Sequence, residues 1–247
     1  MIARSPHISA ITATCALCLV SAPAHAQLAP QTPTGSRIQV NPQKVDPVAA
    51  GRIRKQFGQC VYRNNLVKVE RILNNSDPQT IDYRAAQISQ PKLAEALGLD
   101  DCLTDQIAAN QSALSVSLKS EALRGLFLEE AYLAKFSKAA PQFEGRVETI
   151  SRNYVSSGDD LRKARAFGTY SDCLIVKNPS GADAMLRTMP GSKDEVAAAR
   201  ALAPTLGACL VQGQQLAMTP FSIRTFAADG LWTRYIRDAG PAKAAVK

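Results

Sequence analysis

The spacing of the cysteines constrains this chain more than any other feature. Cys15 and Cys18 lie in an apolar N-terminal stretch, while Cys60, Cys102, Cys173 and Cys209 fall into two blocks with similar surroundings. Phe57-Gly58-Gln59-Cys60 follows the basic turn of Arg52 and Lys55; Phe167-Gly168, and then Cys173, follow Arg162 and Arg165. Each block continues to a second cysteine followed by leucine, Cys102-Leu103 and Cys209-Leu210. We read this as an internal duplication. It favours the pairs Cys60–Cys102 and Cys173–Cys209, because equivalent positions then take equivalent partners. The crossed set, Cys60–Cys173 with Cys102–Cys209, is also symmetric but joins the blocks instead of closing them. A bridge closing about 40 residues contributes about 4 kcal/mol on the chain-entropy argument. No Cys-x-x-Cys occurs after Cys60, and the wide spacing lacks the close ligand pairs of zinc sites.

Residues 1–26 read as a secretory signal peptide. Arg4 supplies the positive n-region, Ile8 to Val20 the short apolar core, and Ala24-His25-Ala26 the small residues of a cleavage site before Gln27. The expected location is therefore the periplasm or the cell exterior, where disulfides persist. No stretch reaches the ~20 apolar residues of a membrane helix. Both histidines, His7 and His25, leave with this segment. A mature chain without histidine excludes Ser-His-Asp and Cys-His pairs, histidine acid–base catalysis and histidine metal ligands. No metal or cofactor is expected. Losing Arg4 leaves 28 basic against 21 acidic residues, near +7. That balance favours anionic partners. No run of five basic residues occurs, however, and aromatics do not interleave with the basic ones, so nucleic acid is not an expected partner.

The remainder divides into a Pro- and Gln-rich leader (27–45), a first helical block (46–137), a connection (138–158), a second block (159–237) and a tail (238–247). In the first block Asp46-Pro47 opens a helix carrying Ala49, Ile53, Phe57 and Cys60 on one face. Asn65 to Leu73 reads as a second, with Leu66, Val69 and Leu73 inward. Short helical segments follow at Tyr83–Ile88 and Pro91–Leu97, and a last strong helix after Ser120 bears Leu123, Leu126, Phe127 and Tyr132. In the second block Asp159 or Asp160 caps a helix through Phe167. Pro179 opens one with Ala182, Met185, Leu186 and Met189 inside. Ser192 and Glu195 form a capping box before Val196, Ala199, Leu202 and Leu206. Pro204 should bend that helix near its end. Thr219-Pro220 starts the last helix, in which Ile223-Arg224 matches Leu123-Arg124 and Trp232 matches Tyr132. The expected fold is all-α: two tandem related blocks of about four helices, each with one internal disulfide.

Phe57-Gly58-Gln59-Cys60, Pro190-Gly191-Ser192, Cys209-Leu210 and Leu123-Arg124-Gly125 together resemble secreted, uncharacterised proteins of alphaproteobacteria, over most of residues 46–237. The resemblance implies a helical fold and an exported state, with no activity attached.

The motifs that could carry chemistry have simpler structural explanations. Acidic pairs at Asp100-Asp101, Glu129-Glu130 and Asp159-Asp160 suit helix starts and solvated helix faces, since neighbours on a helix point apart. A glycosidase needs two carboxylates facing each other across a cleft. Ser89-Gln90-Pro91-Lys92 fits the Ser-x-x-Lys pattern, but Pro91 disrupts the turn that would bring Lys92 to Ser89, and a Lys-Thr-Gly element is absent. Phe57, Phe127, Phe226 and Trp232 recur at helical spacing, as core aromatics do. The expected function is non-catalytic: a protein-binding or envelope-associated module without cofactor. The alternative is a binder of anionic polymer or lipid headgroups through Arg52, Lys55, Arg162 and Arg165. A carboxylate-dependent glycan hydrolase ranks third.

Overall fold

The computed structural model describes residues 46–110, 120–143, 152–210 and 218–238, all within a unit from Lys44 to Lys247. Asp46 caps α1 (Pro47–Asn64) by accepting from the Ala49 amide at 3.1 Å, with proline at the first helical position as expected. A kink at Asn65 leads into α2 (Leu66–Asn74). A short α3 (Leu93–Leu97), α4 (Leu99–Asn110) and α5 (Ser120–Lys135) complete the first half. The second half holds α6 (Gly158–Lys177), α7 (Pro179–Arg187), α8 (Lys193–Gly207) and α9 (Pro220–Trp232), which runs on into a π turn at Thr233–Arg237. Each half carries one disulfide, Cys60–Cys102 and Cys173–Cys209, with Cα atoms 5.7 and 5.8 Å apart. The expected pairing is the observed one.

Two helices organise the packing. α5 receives α1 and α2; α9 receives α6, α7 and α8; and α5 packs on α9. Both are apolar over most of their circumference, the pattern of an enclosed helix. Leu123, Phe127, Leu128 and Tyr132 of α5 are buried together with Ile223, Phe226, Ala228, Leu231 and Trp232 of α9. The two halves share one continuous cluster of buried side chains. Close approaches depend on glycine at two points. A Cβ on Gly51 would fall inside the Pro190 carbonyl, and one on Gly230 would meet the Ser171 carbonyl at 2.8 Å.

Several expectations need correction. Tyr83–Ile88 forms a turn, not a helix: the Asp82 carboxylate and carbonyl accept from Ala85 and Ala86 at 2.9 Å, and Gln87 ends the turn at a φ of 55°. α6 has Ser157 at its N-cap position, without a side-chain capping bond, and Asp159 and Asp160 in its first turn, and it continues past Phe167 to Lys177. Because α6 is unbroken, Cys173 sets the register: Cys60 corresponds to Cys173, and Phe57 to Tyr170, one turn beyond Phe167. Ser192 caps α8, but the Glu195 carboxylate returns to the Gly191 amide at 2.6 Å instead of closing on Ser192. Leu66, Met189 and Val196, expected inside, are 45%, 40% and 36% exposed.

Candidate functional site

The correspondence between halves is most exact where charge is buried. Arg124 and Glu129 of α5, like Arg224 and Asp229 of α9, stand five residues apart. On a 3.6-residue helix that places them about 140° apart, too far round to pair with each other. Each instead reaches the other helix. Arg124 Nη1 meets Asp229 Oδ1 at 2.8 Å, and Arg224 Nη1 meets Glu129 Oε1 at 2.8 Å. All four side chains are at most 5% exposed.

Around this reciprocal pair further buried groups are engaged. Arg224 also donates to Glu195 (2.8 Å), to the Leu186 and Thr188 carbonyls (3.1 and 2.8 Å) and to the Thr188 hydroxyl (2.8 Å), which employs all five of its N–H groups. Lys55 reaches in from α1 to Glu129 at 2.7 Å and Glu130 at 3.1 Å. Burial raises the Glu130 carboxyl above its ordinary range, with Lys55 opposing. Arg152 bridges Asp229 at 2.7 Å and Asp172 at 2.6 Å. Burial works against the Asp229 carboxylate, but Arg152 and Arg124 outweigh it and hold it below the usual range. Glu129-Glu130 is therefore a buried structural pair, not the solvated face expected.

Residues 152–156, part of the expected connection, are fastened down as well. Asp77, 2% exposed, accepts from the Val155 amide (2.8 Å), the Ser156 amide (2.7 Å) and hydroxyl (2.8 Å), and the amides of Gln79 and Thr80 (2.9 and 3.0 Å). Burial opposes its charge, but these donors together hold its carboxyl below the usual range.

One pair of matching places differs between the halves. α2 and α7 are nine residues each and bury the same positions: Val69 and Ala182, Ile72 and Met185, Leu73 and Leu186. In that register Glu70 corresponds to Asp183 and Asn74 to Arg187. At α7 the place is filled. Tyr132 donates to Asp183 Oδ1 at 2.8 Å, Arg187 clasps Asp183 at 2.8 and 2.9 Å, and Arg187 also donates to the Phe136 carbonyl at 3.0 Å. The Tyr132 and Phe136 rings pack 5.1 Å apart. Burial, followed by the bond to Asp183, raises the Tyr132 phenol and keeps it a donor. At α2 the corresponding place is an open groove of roughly 600 Å³. Tyr62, Leu66, Glu70 and Asn74 form one wall, Ala131, Ala134 and Lys135 another, and Trp232, Tyr235, Ile236 and Arg237 the third. Trp232 replaces the tyrosine, asparagine replaces the arginine, and Ala134 stands where α9 continues to the buried Arg234.

The expected site residues separate. Cys60, Cys102, Cys173 and Cys209 are all in disulfides. Arg52 and Arg165 are exposed, and Arg162 is exposed and pairs with Asp159 at 2.7 Å. Lys55 is bound to the buried glutamates, so its ammonium faces inward. The two basic turns thus differ in environment, and only Arg52, Arg162 and Arg165 remain as surface charge. Asp100 and Asp101 are exposed in the first turn of α4. Among the described residues no cluster of His, Cys, Asp or Glu is arranged to hold a metal ion, and no helix is long and apolar enough to cross a membrane. The groove was missed because Leu66 fits an inward helical face. The mismatch of Tyr132 with Trp232 was its one sequence signal. No protein family, curated protein or solved structure matches this chain.

Proposed function

We propose that this chain is an exported protein-binding module built by duplication of one helical unit, and that it works by binding instead of catalysis. Export is supported by the signal-like segment ending at Ala26 and by two disulfides, which persist in oxidising compartments. Duplication is supported by the shared register of α1–α2 with α6–α7 and by the reciprocal Arg124–Asp229 and Arg224–Glu129 pairs. The observation that carries the binding reading is the groove: it is mixed apolar and polar, walled by three aromatic side chains, and open in only one of two matching places. Its lining includes a single carboxylate, Glu70. The carboxylates at 129, 130, 172, 195 and 229 are in ion pairs with arginine or lysine. A glycan hydrolase would need two carboxylates free to act across a cleft.

The test is capture from the native envelope fraction with Leu66→Glu and Ala134→Glu, both at exposed groove positions, against Val176→Glu, an exposed position of α6. A partner lost with both groove variants and retained with the control is the expected result. Capture indifferent to the groove variants overturns the reading. N-terminal analysis of the native protein tests export: Gln27 as first residue is expected, and an intact Met1 in the cytosol contradicts it.

A further inference from the structure

We infer that the groove receives an arginine side chain from the partner protein, with Glu70 as its counter-ion; this rests on the protein-binding reading above. The filled place shows what its geometry accommodates. There a carboxylate at the Glu70-equivalent position, Asp183, holds a guanidinium through two nitrogens, at 2.8 and 2.9 Å, and that guanidinium also donates to the carbonyl that follows α5, Phe136. In the open place the carboxylate is kept as Glu70 and the carbonyl position as Ile236, but the arginine is replaced by Asn74. Glu70 has no ion-pair partner among the described residues. A guanidinium fits a carboxylate with two parallel bonds and packs well beside aromatic rings, and Tyr62 and Trp232 are among the side chains that line the groove with Glu70.

The other charges of the groove decide how strong this is. Arg237 stands 6.0 Å from the Trp232 ring and already pairs with Asp238 at 2.9 Å. Lys135 is exposed on the rim and opposes an incoming cation. The site is therefore moderated by a removable like charge, which gives the inference a test with two signs.

Trp232 is the only tryptophan of the chain, so its fluorescence reports the groove directly. The full-length disulfide-bonded protein is titrated with a capped Gly-Arg-Gly peptide, with the same peptide carrying neutral citrulline, and with acetyl-arginine amide alone. The arginine peptide is expected to saturate, and citrulline to bind about tenfold or more weakly, because the charge-assisted bidentate pair is lost. Glu70→Gln should weaken the arginine peptide by a similar factor, and Lys135→Glu should tighten it several-fold. Both positions are exposed, so both variants should fold. Equal binding of citrulline, or unchanged affinity in both variants, overturns the inference. Acetyl-arginine amide binding as tightly as the tripeptide overturns the assignment to a protein partner in favour of a small-molecule site. If these titrations fail while groove-dependent capture from the envelope succeeds, the arginine is wrong and the binding reading stands.

Discussion

At the scale of single residues, the charges that look most like chemistry in the sequence are structural. Asp229 is fully buried between Arg124 and Arg152, and removing one partner of a buried pair leaves the others uncompensated. Asp229→Asn should therefore cost about 3–5 kcal/mol in urea unfolding. Asp77→Asn should cost about 1.5–3 kcal/mol at neutral pH, since it replaces a charged acceptor of five donors. Its pH dependence has a definite sign. The Asp77 carboxyl is held below its usual range, so its contribution is complete above the unfolded value of about 3.9 and is lost as pH falls through the folded one. The stability gap between wild type and variant should narrow on acidification below about pH 4; a gap constant from pH 7 to pH 2 would contradict the assignment. The sequence marks these residues only obliquely. An arginine and a carboxylate five apart inside an apolar helix, as in Leu123–Glu129, signal burial with a partner elsewhere, but that partner appears only when α9 shows the same spacing. Arg152 and Asp77 lie in segments without periodicity, so nothing local announces their burial.

At the scale of elements, the caps of the first and last helices and both disulfides were legible, and other helix ends were not. Asp46-Pro47 and Thr219-Pro220 start helices where the side-chain oxygens can accept from the third residue on, and each does so at 3.1 Å. The cysteine pairing followed from equivalence of position. The helix expected through Phe167 runs on to Lys177 because no proline or helix-ending turn intervenes before Asn178 and Tyr170 and Leu174 hold its inner face. Leu66 was misplaced because periodicity says which side of a helix is apolar, not whether a neighbour covers it. Val69 and Leu73 are buried, while Leu66, 45% exposed, faces a groove whose α5 side is lined by the small side chains Ala131 and Ala134. Since α5 and α9 belong to one buried cluster, the two halves should unfold together. Trp232 fluorescence and far-UV circular dichroism should report coincident denaturant transitions. Replacing Cys60 and Cys102 together by alanine should lower that one transition by about 4 kcal/mol. An early helix loss with the Trp232 transition unmoved would show that the halves are independent.

At the scale of the whole molecule, the two halves exchange buried ion pairs across α5 and α9, and they differ where α2 and α7 face those helices. There the second half closes the site with Tyr132, Asp183 and Arg187, and the first half leaves Trp232, Glu70 and Asn74 around a groove. We propose that binding resides in this difference. The helical class and the disulfide pairing were legible in the sequence, but the groove could not be read before the register of α2 against α7 was known. The direct test is to copy the filled site into the open one with Glu70→Asp, Asn74→Arg and Trp232→Tyr combined, and to measure binding of the capped Gly-Arg-Gly peptide by calorimetry. The expected result is a folded protein that no longer binds the peptide. A folded triple variant that binds it with wild-type affinity would contradict the account.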